Sequence, residues 1–265
     1  MRMCSIGSGS SGNCIFAGAS SANLLIDVGL SCKRTVQGLN TLGLDISEID
    51  AILLTHEHSD HIAGLRVISK KYGIPIYATR GTMEGVMLTP GADEIDRSLF
   101  RVVEPDTEFM INDVRAVPVR IDHDTREPVA FRIEEYGKKA AVITDLGTWS
   151  EYTVDAMSGL NTIFVEANHD LRMLECGRYP YILKKRIMSE KGHLSNDDSG
   201  AFLSRLLNDD IQAVMLAHLS KENNLPEIAY ESVRSGITLS DTKYEGDDFP
   251  ISVCPRDTLS RIVEW

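Results

Sequence analysis

Residues 55–61, with the sequence THEHSDH, restrict the possible folds of this chain more than any other segment does. Three imidazoles and two carboxylates fall within seven residues, directly after the apolar run 51–54. A short apolar run of this kind predicts a buried strand, and the loop after such a strand is a common place for functional side chains. A solvated helix start that happens to be rich in histidine would leave this clustering unexplained. The segment therefore predicts a fold in which a strand end carries a metal site.

The spacing within this segment divides the ligands between two ions. His56 and His58 are two residues apart on an extended segment, so both side chains point the same way and can chelate one ion. Asp60 and His61 are consecutive and begin a predicted helix, which turns them toward a second position. Borderline divalent metals bind imidazole nitrogen and carboxylate oxygen readily. Glu57 lies between two ligands, and we expect it to be a simple exposed residue.

The composition is that of a globular protein without a membrane-spanning segment, with 43% hydrophobic and 25% charged residues over 265 positions. No apolar run approaches the ~18 residues of a transmembrane helix, and the N-terminal segment lacks the apolar region of a signal peptide. The five cysteines are odd in number and scattered, which favours reduced thiols in a cytoplasmic protein. The net charge of −12 counts against extensive nonspecific binding of nucleic acid, but it allows a nuclease with a local basic groove.

Candidate ligands also follow the apolar strands predicted further along the chain. AVIT leads into Asp145, FVEAN into His169 and AVMLA into His218, just as AILLT leads into His56. Folds of the α/β class place their sites where strand ends meet at one edge. Polar residues often follow strands by chance. Chance could account for one of these residues, but not for four that are all of metal-ligand type. The alternation of short predicted strands and helices indicates two sheets in one core with helices outside.

The HxHxDH motif of residues 56–61 resembles that of the metallo-β-lactamase superfamily. SGSSGN at 8–13, THEHSDHIAGL at 55–65 and HLSN at 193–196 are similar to motifs of the bacterial YycJ (WalJ) subfamily of single-domain nucleases. The resemblance extends over nearly the whole chain. It implies one domain over residues 1–265 with an α/β (α+β) fold, a four-layer αβ/βα sandwich of two mixed β-sheets flanked by helices. The metals would lie at one edge between the sheets.

The resemblance also completes the set of metal ligands. A first ion would be held by three histidines, a second by an aspartate and two histidines, and one further carboxylate would bridge them. In that order, the implied ligands are His56, His58 and His123, then Asp60, His61 and His218, with Asp145 as the bridge. Two such ions acidify a bridging water to hydroxide and neutralise charge on the attacked group, and Asp60 is also a catalytic candidate there. The absence of a thiolate leaves iron and nickel as candidates beside zinc and manganese, which are favoured.

Two histidines are surplus to that ligand set. In phosphodiesterases of the superfamily a Glu/His pair assists departure of the leaving oxygen. By this resemblance His193 is a candidate phosphate binder or general acid, with His169 and Glu166 beside it as catalytic candidates. The alternative for each histidine is a structural imidazole that bonds to backbone carbonyls. Ser195 and Asp198 predict a capping box at the helix that follows.

A basic window lies between these motifs, at residues 178–191, in a chain that is acidic overall. Its basic side chains and tyrosines suit phosphate contacts and base stacking, although a solvated amphipathic helix face would have the same composition. The Ser/Gly loop at 8–13 does not fit a phosphate-binding P-loop, and by resemblance it lines the substrate mouth rather than forming a plain tight turn. The candidate substrate contacts are Ser10, Ser11, Asn13, Asn168, Lys184, Lys185, Arg186 and Ser195.

The metal site alone does not select the substrate, because glyoxalases, lactonases, β-lactamases and nucleases of the superfamily share it. The chain is too short between Asp145 and His218 for the large insertion of ribonuclease J-type enzymes, and no obvious helical glutathione-binding region follows. The YycJ-type motifs imply a phosphodiesterase, and by that resemblance a 5′-to-3′ exonuclease on double-stranded DNA. The alternative is a small-molecule or RNA phosphodiesterase, or another hydrolase, with the same metal site. A scaffold with purely structural metals is disfavoured, because structural zinc has four protein ligands and no open position.

Overall fold

Short strands build two β-sheets of seven strands each in the computed structural model, which describes all 265 residues. The strands are β1 (Arg2–Gly7), β2 (Cys14–Gly18), β3 (Asn23–Ile26), β4 (Ala51–Leu53), β5 (Ile76–Ala78), β6 (Phe100–Val102), β7 (Phe109–Ile111), β8 (Val114–Arg120), β9 (Val129–Glu135), β10 (Lys138–Ile143), β11 (Thr162–Glu166), β12 (Ala213–Ala217), β13 (Ile251–Val253) and β14 (Val263–Glu264). The strand order is β14-β1-β2-β3-β4-β5-β6 in the first sheet and β13-β12-β11-β10-β9-β8-β7 in the second. Both sheets contain parallel and antiparallel pairs.

Nine α-helices accompany the strands. They are α1 (Cys32–Thr41), α2 (Ser59–Ile62), α3 (Leu65–Tyr72), α4 (Arg80–Met87), α5 (Glu151–Ala156), α6 (Leu171–Cys176), α7 (Tyr181–Ile187), α8 (Asn196–Leu206) and α9 (Pro226–Thr238). Short 3-10 helices cover Ile46–Glu48, Ala92–Glu94, Arg97–Leu99 and Gly246–Asp248. A helix that could cross a membrane would need to be longer and more apolar than any of these.

The chain divides into two compact units, which are described separately. The first comprises Met1–Arg120, Thr125–Gly137 and Pro255–Trp265, and the second comprises Ile121–Asp124 and Lys138–Cys254. In the first unit β3, β4, β5 and β6 are parallel, while β1 pairs antiparallel with β2 and β14. Apolar side chains of these strands pack with those of α1, α3 and α4 into one buried cluster, which includes Phe16, Ile52 and Ile68. This core holds the end of β4 in place.

The second unit is built on the parallel strands β10, β11, β12 and β13. Its register sets Glu166, the last residue of β11, beside Ala217, the last residue of β12. Because parallel strands end at the same edge, the residues that follow them come together there. Asp145 and His218 lie just beyond the ends of β10 and β12, and both have left-handed backbones, with φ of 59° and 56°. Residues other than glycine rarely adopt a left-handed backbone, and those that do are often found at functional sites.

Apolar residues recur at helical spacing at Ile62, Leu65, Ile68 and Tyr72, which predicts one helix over residues 61–72. The structure has two helices there, α2 and α3. The break falls at Ala63 and Gly64. The backbone N–H of Gly64 donates to the carbonyl of Val28, and that of Val28 donates to the carbonyl of His61. These bonds to an outside segment turn the chain between the helices, although the apolar spacing runs through the break.

The sequence pattern does not predict five short elements of the structure, namely α4, α6, α7, β6 and β14. The sequence of α4, RGTMEGVM, contains two glycines and lacks a clear apolar stripe. The strands β6 and β14 are only three and two residues long, which is too short for an alternating pattern to be recognised. The helices α4 and α7 each lie beside candidate ligands of their own unit, α4 through Glu57 and α7 through the pair of Arg186 with Asp124.

Candidate metal centre

The ligand loop of the first unit begins where β4 ends and continues into α2. His56 and His61 are fully buried, and Nε2 of His56 lies 3.2 Å from Nδ1 of His58. Oδ2 of Asp60 lies 3.6 Å from Nε2 of His61, and the rings of His56 and His61 have centroids 4.1 Å apart. The loop therefore gathers three imidazoles and one carboxylate at distances that suit ligands of divalent cations. All donors are nitrogen or oxygen, which fits zinc, manganese, iron or nickel.

Asp27, at the end of β3, orients this loop and was not singled out from the sequence. Its buried carboxylate accepts bonds from the backbone N–H of Thr55 at 2.9 Å and from the Thr55 hydroxyl at 2.8 Å. Its Oδ2 also lies 2.8 Å from Nδ1 of His61. A carboxylate can only accept, so Nδ1 of His61 carries the proton and Nε2 keeps its lone pair. The only sequence signal was an aspartate directly after an apolar strand, which also describes many turn residues.

The Ser/Gly loop 8–13 contacts the same ligands through Asn13. The Nδ2 of Asn13, which is buried, lies 3.1 Å from Nε2 of His61 and 3.5 Å from Oδ2 of Asp60, while its Oδ1 accepts from the N–H of Gly9. Ser10 and Ser11 are exposed at the loop tip. Of the three residues expected to contact substrate, one therefore contacts metal-ligand candidates and two face solvent.

Gly29 allows the backbones of the Ser/Gly loop and of α2 to pack closely against its own. A Cβ at position 29 would lie 1.6 Å from the carbonyl oxygen of Asp60. The N–H of Gly29 donates to the carbonyl of Asn13, and the N–H of Asn13 donates to the carbonyl of Asp60. Only glycine fits this position, because any side chain would displace the ligand helix.

Glu57 is not the simple exposed residue that we expected. It is half-buried, its Oε1 accepts from the backbone N–H of Arg126 at 3.0 Å, and its Oε2 is buried without a hydrogen-bond partner. Helix α4 covers it, since a Cβ at Gly85 would lie 2.4 Å from Cγ of Glu57. The expectation was wrong because α4 was not predicted. Glu57 therefore fixes the loop between His56 and His58 against the rest of the first unit.

In the second unit, four candidate ligands meet at the edge where β10, β11 and β12 end. The ligand atoms of Asp145, Glu166, His193 and His218 all lie within 4.8 Å of one another. Oδ1 of Asp145 is 3.4 Å from Nδ1 of His218 and 3.5 Å from Nδ1 of His193. This arrangement follows directly from the parallel strands, and it agrees with the prediction that strand ends converge.

Glu166 is the buried centre of this group. Its Oε1 lies 2.7 Å from Nδ1 of His218 and 2.9 Å from Nδ1 of His193, and its Oε2 accepts from the backbone N–H groups of Leu146 and Leu194, both at 3.1 Å. Burial alone would raise the pKa of this carboxyl. The charge of His193 and the bonds from both imidazoles overcome that effect and lower the pKa to about 2. Glu166 is therefore a charged acceptor that holds two imidazoles with Nε2 directed away from it.

His123 is oriented in the same way by a backbone carbonyl. Its Nδ1 donates to the carbonyl of Gly192 at 3.0 Å, and its Nε2 lies 3.7 Å from Oδ1 of Asp145. The loop that precedes α8 thus supplies both the acceptor for His123 and the imidazole of His193. Asp124, the next residue after His123, is 3.6 Å from the same Nε2.

Helix α7 lies within the basic window predicted over residues 178–191 and carries Lys184, Lys185 and Arg186. Arg186 forms a two-bonded ion pair with Asp124, so its guanidinium is already engaged beside His123. Nζ of Lys184 donates to the carbonyl of Glu175 at 2.7 Å, and the ammonium of Lys185 lies 5.1 Å from the ring centre of Tyr181. Both lysines are partly or fully exposed, whereas Arg186 has a structural partner.

The remaining predicted residues are buried near the start of α8. Nδ2 of Asn168 donates to the carbonyl of His218. Ser195 caps α8 by accepting from the N–H of Asp198, but its hydroxyl donates to the Asp198 carboxylate, so only half of the expected capping box forms. His169 is 1% exposed and neither of its ring nitrogens has a partner, and burial lowers its pKa to about 4. His169 is therefore neutral near pH 7.

We predict that Gly85→Ala weakens metal binding, because the added methyl group must displace Glu57 and with it the loop that carries His56 and His58. Groups that orient metal ligands change affinity by roughly 10–100-fold when they are disturbed, and we expect an effect of this size. The measurement is metal retention against a competing chelator. Gly200→Ala is the matched control, since its Cβ would make an ordinary 3.4 Å contact within α8 and α9. Equal retention in both variants would contradict this role of Glu57.

Comparison with known proteins agrees with the predicted fold class. The chain superposes over its full length on the Zn²⁺-bound PqqB of Methylobacterium extorquens, also over its full length, with a TM-score of 0.72 and 16% identity. This likeness confirms the fold class that was predicted, with two mixed seven-stranded sheets flanked by helices.

Two relatives are similar over most of the chain. The chain is 37% identical over 229 residues to "Exodeoxyribonuclease YycJ" of Bacillus anthracis, a match that covers 86% of each chain. It is 33% identical over 259 residues to "Exodeoxyribonuclease WalJ" of Streptococcus pneumoniae, covering 98% of this chain and 96% of that one. The family model described as the β-lactamase superfamily domain matches residues 22–219. The chain therefore belongs to the metallo-β-lactamase superfamily of metal-dependent hydrolases.

Proposed function

We propose that this chain is an exonuclease that degrades double-stranded DNA from the 5′ end. The observation that carries the proposal is its similarity, over nearly its whole length, to proteins named as exodeoxyribonucleases. The ligand groups of the two units supply the nitrogen and oxygen donors that a metal-dependent nuclease requires. An RNA or small-molecule phosphodiesterase with the same donors is the second candidate, because every phosphodiester presents the same anionic oxygens to a metal.

We further propose that the ligands of both units serve one pair of divalent ions. Each unit contributes imidazoles whose Nδ1 is occupied by an internal acceptor, which leaves Nε2 for a metal. The first ion would be held by His56, His58 and His123, and the second by Asp60, His61 and His218, with Asp145 as the shared carboxylate. When bound, such ions neutralise charge on a phosphate and lower the pKa of water.

In this proposal His193 binds the substrate phosphate and assists the leaving oxygen. Its Nδ1 is held by Glu166, its side chain remains 15% exposed, and Nε2 is the atom left to contact substrate. Glu166, fully buried and charged, acts as a positioning residue rather than as an acid or base. We do not assign His169 a contact with substrate, since its ring is buried. Lys184 and Lys185 remain the proposed phosphate contacts of α7, whereas Arg186 holds Asp124.

The proposed bridge is tested by Asp145→Asn, which removes the charge but keeps the shape. Asparagine tolerates the left-handed backbone at this position, so the fold should be preserved. We expect wild-type protein to bind up to two transition ions per chain, and the variant to lose at least one of them together with its activity. Metal analysis of purified protein and hydrolysis of bis-p-nitrophenyl phosphate are the measurements. Asp122→Asn, an exposed carboxylate in the same unit, is the control. A fully active variant with unchanged metal content would exclude the bridge.

The role of His193 is tested with His193→Ala. We expect the variant to keep its metals while kcat on DNA falls by roughly 10²-fold or more, as for loss of a general acid. Hydrolysis of bis-p-nitrophenyl phosphate should fall less, because its leaving group departs without a proton. If the metal content drops in parallel with the rate, His193 is a ligand instead.

The substrate is tested with labelled nucleic acids in Mn²⁺ or Zn²⁺. On blunt duplex DNA labelled at the 5′ end, the labelled nucleotide should be released at once, whereas a 3′ label should yield a series of shortening fragments. Matched RNA should be degraded more slowly. Cleavage of RNA with DNA left intact would favour the second candidate. Immediate release of the labelled nucleotide from the 3′ end would mean that degradation runs from 3′ to 5′.

A further inference from the structure

We infer that a groove beside α4 binds an unpaired nucleotide of the DNA substrate, an inference that rests on the exonuclease function proposed above. The groove has a volume of about 330 Å³, which lies within the range of ligand pockets, roughly 300–1,000 Å³. It lies entirely within the first unit. Its lining residues are Met83, Glu84, Met87, Leu88, Arg97 and Arg126.

The apolar part of the groove is one face of α4. Met83 and Met87 are four residues apart, so their side chains lie one above the other along the helix. Leu88 follows and is 71% exposed, although it is a large apolar side chain. Thioethers are flexible and polarizable, so they can adapt to flat apolar surfaces of different size. This face therefore suits a nucleobase without selecting one base strictly.

The charged part of the groove points to an anion. The guanidiniums of Arg97 and Arg126 are exposed and form no ion pair, whereas Arg34, for example, pairs with Asp257. In a chain of net charge −12, the groove thus places two unpaired guanidiniums beside one apolar face. Guanidinium groups bind phosphate oxygens in a planar, two-bonded geometry. Glu84 is the only acid in the lining, and a carboxylate can accept from the amino group of a base.

The groove is attached to the ligand loop through Arg126. The backbone N–H of Arg126 donates to Oε1 of Glu57, which lies between His56 and His58. The next residue, Glu127, is fixed to the start of α4, because its carbonyl accepts from the hydroxyls of Thr79 and Thr82. A nucleotide in the groove would therefore contact Arg126, whose backbone is bonded to the ligand loop.

An apolar face with free cations could also receive an acidic protein segment. Nucleic acid is favoured because the groove combines phosphate ligands with an apolar plane beside the metal-ligand loop of a proposed nuclease. A duplex end would have to release one nucleotide to fill it. We therefore expect tighter binding to a duplex with a short single-stranded tail than to a blunt duplex.

The test is a double variant, Arg97→Ala/Arg126→Ala, which leaves the backbone bond to Glu57 intact. Metal-loaded protein is titrated with tailed and blunt duplexes whose ends carry phosphorothioate linkages that resist hydrolysis, at several salt concentrations. Because each single-strand phosphate contact contributes roughly 0.7 to the salt slope, the double variant should lose about 1.4 slope units on tailed DNA. Its affinity should fall at least tenfold, and the preference for the tail should disappear. Arg115→Ala, an exposed arginine paired with Glu108, is the charge-matched control and should retain both.

A second variant, Met87→Ala/Leu88→Ala, separates the apolar contact from the charge. It should reduce the affinity for tailed DNA while leaving the salt slope unchanged. The inference is overturned if both double variants bind tailed DNA as the wild type does while the wild type still degrades DNA, in which case the proposed function stands. If the wild type neither binds nor degrades DNA, both proposals fail. A change of oligomeric state in the apolar variant, with DNA binding unaltered, would identify the groove as a protein interface instead.

Discussion

The second unit depends on the bonds that surround the carboxylate of Glu166. An ionised group in a fully buried position is unstable unless its lone pairs are satisfied. Here two imidazoles and two backbone N–H groups satisfy them, and they come from the segments that follow β10, β12 and α7. Keeping the charge therefore requires these segments to meet at one point. The carboxylate acts as the centre around which the strand ends are ordered.

The first unit uses the same device with a different residue. Asp27 is buried at the end of β3 and accepts from Thr55 and His61, as Glu166 accepts from His193 and His218. In both units a buried acid fixes the protonated nitrogen of a histidine and leaves the other nitrogen for a cation. This preorganisation lowers the conformational entropy that a metal would otherwise have to remove from its ligands.

Many of the candidate metal ligands could be predicted from the sequence, since they either cluster within seven residues or directly follow apolar strands. The parallel register that brings Asp145 and His218 near Glu166 follows from the same reasoning. The partners of these ligands could not be foreseen. Asp27 precedes His61 by a long segment, and the sequence gives no sign that they are 2.8 Å apart. Glu57 was misjudged because α4, a short helix with two glycines, has no clear pattern. Arg186 was expected to contact substrate, but its pair with Asp124 depends on how the chain folds back.

The close approach at Gly29 limits how this site can change during evolution. The backbone of Gly29 contacts the backbone of Asp60, so any side chain at position 29 would displace α2 and the Asp60 carboxylate with it. An insertion next to Gly29 or next to Asp60 would break the same backbone contact. Adaptation to new substrates must then act through surfaces that reach the ligand loop indirectly, and α4, which touches that loop through the side chain of Glu57, is one such surface. Diversity within proteins of this architecture should therefore accumulate around a ligand loop that itself stays nearly invariant.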